Sequence, residues 1–104
     1  MSKQIYKVFM STPLGKKSGI LTVDRSGSAL SGWLDILEHK QPFEGTIDAA
    51  GNCRIKGTFI TLLRTVTYIA TGEMTESNVQ LKVQGERNIF ELSGVPYKEK
   101  EEQQ

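Results

Sequence analysis

Ala29-Leu30-Ser31-Gly32-Trp33-Leu34-Asp35-Ile36 alternates apolar and polar side chains around a glycine, and the same phrase returns along most of the chain. Glycine recurs at Gly19, Gly32, Gly45, Gly57, Gly72, Gly85 and Gly94, with gaps of 13, 13, 12, 15, 13 and 9 residues. Apolar residues stand two places away: Leu30 and Leu34, Phe43 and Ile47, Ile55 and Phe59, Ala70 and Met74, Leu92. A period of two within each segment and of about thirteen between segments predicts a β-meander whose strands each carry one inward glycine. The expected fold class is all-β: an antiparallel up-and-down meander of about eight strands closed into a small barrel. Closure is expected because it removes exposed edges, and residues without a β-carbon let a strand bend and opposite walls approach. Some of the glycines would fit β-bulges equally well.

On the N-terminal side of this stretch, Gln4 to Thr12 forms a first strand whose two faces both carry apolar residues, Tyr6, Val8 and Met10 against Ile5 and Phe9. Pro13-Leu14-Gly15-Lys16-Lys17 reads as a turn. The second strand places Gly19, Leu21 and Val23 inward and ends at Asp24-Arg25-Ser26-Gly27-Ser28, a strong hairpin signal. On the C-terminal side, Glu38-His39-Lys40-Gln41-Pro42 closes the third strand. Phe43, Gly45 and Ile47 then face in from the fourth, and Ile55, Gly57 and Phe59 from the fifth. Thr58 to Thr71 also fits a helical stripe, but its threonines with Ile60, Val66 and Ile69 favour two strands turning near Leu63-Arg64-Thr65. The helix stays the alternative. Val66 to Met74, Val79 to Glu86 and Phe90 to Gly94 complete the set, with Gly85 taken as a wall position. Residues 1–97 are expected to form one domain, and Lys98 to Gln104 a charged, disordered tail.

Ser26-Gly27-Ser28-Ala29-Leu30-Ser31-Gly32-Trp33 resembles the turn-then-strand phrase of streptavidin-like barrels, and the repeated hairpins resemble the wider calycin group, which includes lipocalins. The resemblance implies a small-ligand carrier on an eight-stranded or ten-stranded meander. It transfers no ligand residue, since those sites use several tryptophans and this chain has one.

The chain has 104 residues, 13 basic and 12 acidic side chains and a formal charge of +1. A balance so even gives no field to steer nucleic acid or anionic lipid, and leaves room for self-association. The opening Met1-Ser2-Lys3-Gln4-Ile5-Tyr6 is polar and then alternating, unlike a leader. With one cysteine, Cys53, the expected compartment is the cytoplasm.

Two functional readings follow. In the first, the barrel holds a small apolar or aromatic ligand against Tyr6, Tyr68, Phe59 and Phe90. The only polar inward residues expected are Tyr6, Cys53, Thr61 and Tyr68, and a barrel filled by its own side chains is the competing outcome. In the second, strand parity puts Trp33, Leu37, Ile60, Leu62 and Ile69 on the outer face, as an interface for a homo-oligomer or another partner. A register slip would instead turn these inward.

Gly15-Lys16-Lys17-Ser18-Gly19 lacks the spacing of a nucleotide loop and reads as a solvated hairpin. Arg54 and Lys56 face outward beside Glu44 and Asp48, which offset them, so no nucleic-acid partner is expected. His39 is a lone loop histidine, and neither it nor Cys53 has a catalytic partner at a recognisable spacing. One histidine and one cysteine are too few for a metal site. The sequence therefore leads us to expect no enzyme activity, no cofactor, no metal and no membrane partner.

Overall fold

A computed structural model of the chain describes residues 2–12, 15–60 and 64–97. Eight strands follow one another: β1 (Ser2–Thr12), β2 (Gly15–Ser26), β3 (Ala29–Ile36), β4 (His39–Ile47), β5 (Asn52–Ile60), β6 (Thr65–Met74), β7 (Val79–Gln84) and β8 (Ile89–Pro96). Each pairs antiparallel with the next, and β8 returns to β1 to close the barrel. The alternation that predicts the meander also decides its inside. On β3 Leu30, Leu34 and Ile36 are buried between exposed Ala29, Ser31, Trp33 and Asp35. β1 turns Tyr6, Val8 and Met10 inward, resolving its two-faced pattern. The buried side chains form one contiguous cluster, against which Leu37 and Phe90 pack from the edge. The shortest dimension of the molecule is 18 Å, against 37 and 35 Å for the others, so the barrel is flattened.

Thr58 to Thr71 divides between two strands, as its β-branched residues predict: β5 runs to Ile60 and β6 starts at Thr65, while Thr61, Leu62 and Leu63 lie outside the described residues. Other expectations need correction. The turn after β3 is only Leu37-Glu38, both at positive φ (58° and 67°), so His39 to Pro42 belong to β4. This geometry brings Leu37, expected on the outer face, half under the barrel end and onto the core. Gly15 to Lys17 begin β2 instead of forming a turn. Gly85 starts the β7–β8 turn, its N–H bonded to the Asn88 carbonyl at 2.9 Å, and is not in a strand. The other six spaced glycines do lie in strands. The tail from residue 98 lies outside the described residues.

Two hairpins overhang their neighbours. β3 pairs with β2 only from Gly19 onward, leaving Gly15 to Ser18 extended beyond it. At the same end of the barrel, β4 leaves β5 after Phe43↔Gly57, and β7 leaves β6 after Gln84↔Ile69. The overhanging β5–β6 ribbon is tied down by an ion pair between Arg64 and Glu86 at 3.0 Å. Among the described residues no helix is long and apolar enough to cross a membrane.

Candidate functional site

The four inward aromatics do not share one pocket. Tyr68 stacks on Phe59 with ring centroids 4.6 Å apart, because Gly57, its cross-strand partner, leaves room for the phenol to lie over the backbone. A methyl placed at Gly57 would stand 2.8 Å from the Tyr68 hydroxyl. Burial pushes that phenol up to about 12. Tyr6 belongs to the opposite end of the barrel, beside Met74, six residues and about 20 Å along β6 from Tyr68. Its hydroxyl donates to the Thr75 carbonyl at 2.6 Å, tying β1 to the β6–β7 turn, and its pKa is raised by burial and by the nearby Glu76 carboxylate. Phe90 is half-buried at the core's edge.

Outside, the register sets up rows of side chains crossing the sheet. One row is Asp24, Ser31, Glu44, Lys56, Ile69 and Gln84, from β2 to β7. The next is Ser26, Ala29, Thr46, Arg54, Thr71 and Lys82. Small side chains in the middle of β3 and β4 and larger ones at the margins hollow this face into a trough of about 900 Å³. A second hollow of about 480 Å³, over Pro42, Thr58 and Thr67, adjoins it and shares Glu44 and Lys56. Glu44 and Lys56 are register partners, yet among the described residues neither they nor Asp24 and Arg54 form an ion pair.

Trp33 is 44% exposed with the Lys40 ammonium 5.5 Å from its ring centroid, and Ile69 is 38% exposed. Ile60 is half-buried on the overhanging ribbon, and Leu62 lies outside the described residues. Of the five residues expected on this face, Trp33 and Ile69 thus stand open to solvent, separated by β4 and β5. The small-residue floor was legible in principle, since Ala29, Ser31 and Thr46 occupy outward parity positions. Its neighbours across the sheet were not.

His39 is exposed at the start of β4. Cys53 is buried and unbridged, and burial followed by the Asp48 charge pushes its thiol up to about 11, so it stays protonated and weakly nucleophilic near neutrality. Asp48 is occupied locally: its carboxylate accepts the Asn52 and Ala50 N–H groups, which hold its pKa below the usual value. Among the described residues no three His, Cys, Asp or Glu side chains gather where they could hold a metal ion. Comparison with known proteins finds no family model, no curated protein and no solved structure that matches this chain.

Proposed function

We propose that the protein is a non-catalytic interaction module that pairs with a second copy of itself through the outer face of β3 to β6. The observation that carries this reading is the order Ser31, Glu44, Lys56, Ile69 across that face. A two-fold axis lying along the strands, between β4 and β5, exchanges β4 with β5 and β3 with β6. It sets Glu44 over the partner's Lys56 and Lys56 over the partner's Glu44. It also sets Ile69, large and exposed, over the partner's Ser31, which is small. Trp33 meets the partner's Thr67 in the same way. Charge opposes charge and bulk opposes space, both twice, as an isologous contact requires. The longer dimensions of 37 and 35 Å leave room for the roughly 800 Å² per partner of a standard interface.

The Ser26–Trp33 phrase and the closed meander support a calycin-like architecture. At the end of the barrel that holds Phe59 and Tyr68 the interior supports a different use of it, because these two rings are stacked on each other with the phenol over Gly57. An unbridged Cys53 supports a reducing compartment, and we place the protein in the cytoplasm.

Light scattering across a concentration series tests the pairing. The wild-type chain is expected to dimerise, Lys56→Glu and Glu44→Lys each to weaken the dimer by about tenfold or more, and the double exchange to restore it. A wild-type chain that stays monomeric, or a double variant no better than the singles, rejects the reading.

A further inference from the structure

Strand parity run to the barrel's other end puts Gln4 of β1 and Arg25 of β2 on the inward side, above the buried layer of Tyr6, Val23, Leu30, Ile47 and Met74. Together with Glu76 from the β6–β7 turn they ring a cup of about 150 Å³. Arg25 and Glu76 carry opposite charges on the wall of this one cavity, yet form no ion pair with each other. Among the described residues the guanidinium makes only long contacts, 3.4 Å to the Gly27 carbonyl and 3.5 Å to that of Asp48. The Glu76 carboxylate has no partner among the described residues. Both nevertheless act on Tyr6, whose phenol is raised by Glu76 and lowered by Arg25, after the larger effect of burial.

The walls are held in place before any ligand arrives. Tyr6 is bonded to the Thr75 carbonyl, and Gln4 Nε2 donates to the Glu76 carbonyl at 3.4 Å. Thr75 closes its own turn, its N–H on the Asn78 carbonyl at 2.9 Å. Opposite, the Asp48 loop is fixed by its carboxylate and by Met74 N–H on the Gly51 carbonyl at 2.8 Å.

We infer that this cup binds a zwitterionic α-amino acid with an apolar side chain of about leucine size. A cavity near 150 Å³ accepts a group the size of benzene, which covers an isobutyl chain. The floor is apolar and can take that chain. The ligand carboxylate then meets the fork of Arg25, and its ammonium meets the Glu76 carboxylate and the Thr75 carbonyl on the other side. Two opposite charges that flank a cavity without pairing are satisfied together by a molecule carrying both complements. The inference is independent of the outer face, which lies on the opposite side of the sheet.

The test is an NMR titration of the full chain with L-leucine, following the methyl groups of Val23, Leu30, Ile47 and Met74. Saturable shifts confined to these residues are expected. Arg25→Gln and Glu76→Gln should each weaken binding by about tenfold, as loss of one charged hydrogen-bonding partner does. The same spectra report whether each variant is folded. Two half-ligands complete the design: 4-methylpentanoate lacks the amine and 3-methylbutan-1-amine lacks the carboxylate, and both should bind at least tenfold more weakly than leucine. Absence of saturable shifts in the wild-type chain overturns the inference. So does equal binding of leucine and either half-ligand, or a folded Arg25→Gln variant that binds leucine unchanged.

Discussion

At Gly45 an added methyl would collide with the Arg54 carbonyl oxygen and stand 2.6 Å from Ile55 Cα, both backbone atoms that cannot step aside. At Gly85 the nearest atom would be Val66 Cγ1 at 3.3 Å, the end of a side chain. Gly45→Ala is therefore expected to lower stability by about 1–3 kcal/mol and Gly85→Ala by less than about 1 kcal/mol, read as urea midpoints. Equal losses would show that wall and turn glycines are not distinct. The sequence made Gly45 legible because Phe43 and Ile47 alternate around it. It could not separate Gly85, because Val79, Leu81 and Val83 run up to it with the same alternation. Leu37 was illegible for another reason: neither Leu37 nor Glu38 has the side chain that favours positive φ, which costs about 1–2 kcal/mol per residue. The contact of Leu37 with the core offsets that cost, and such a contact is visible only once the fold exists.

Pro42 shows how a single position ends an element. Asp48 N–H bonds to the Asn52 carbonyl at 2.9 Å, and the register then alternates, so Thr46, Glu44 and Pro42 are the β4 residues whose backbone faces β5. Proline has no N–H to offer the Thr58 carbonyl there, and the ladder stops at Phe43↔Gly57. Pro42→Val should extend it by one pair. Hydrogen exchange would then show a protected amide at position 42, with a stability gain of about 1 kcal/mol. A freely exchanging amide would mean that the two strands separate for some other reason. Reading proline as punctuation placed it correctly at a boundary, but of the wrong pairing: β3 continues past it to meet His39. The threonine-rich stretch beyond Thr58 was legible as strand through its β-branched residues, although its apolar spacing also suited a helix.

For the molecule as a whole, alkali is the sensitive direction. Cys53 and Tyr68 have ordinary values of 9.0 and 10.0, raised by burial to about 11 and about 12. Each ionises earlier in the unfolded chain, so stability is whole below about pH 9 and falls as pH climbs through the window up to 12. Urea midpoints should hold steady from pH 7 to 9 and then decline. Cys53→Ala, referred to its own value at pH 7, should delay the decline to near pH 10. A wild-type barrel as stable at pH 11 as at pH 7 would contradict the burial of both groups. Closure was expected from the exposed edges it removes. Strand count and direction were readable from local alternation, because seven of the eight seams join strands adjacent in sequence. The trough and the cup were not, since each depends on residues from four or more strands being brought side by side. The eighth seam has its own consequence. β1 meets β8 through only five pairs, Tyr6 to Met10 with Pro96 to Leu92. A chain emerging from the ribosome can zip every earlier hairpin as it appears but must wait for β8 to shut the ring. Until then β1, made before the other seven strands of the barrel, lacks its second neighbour, and crowded synthesis exposes that edge longest.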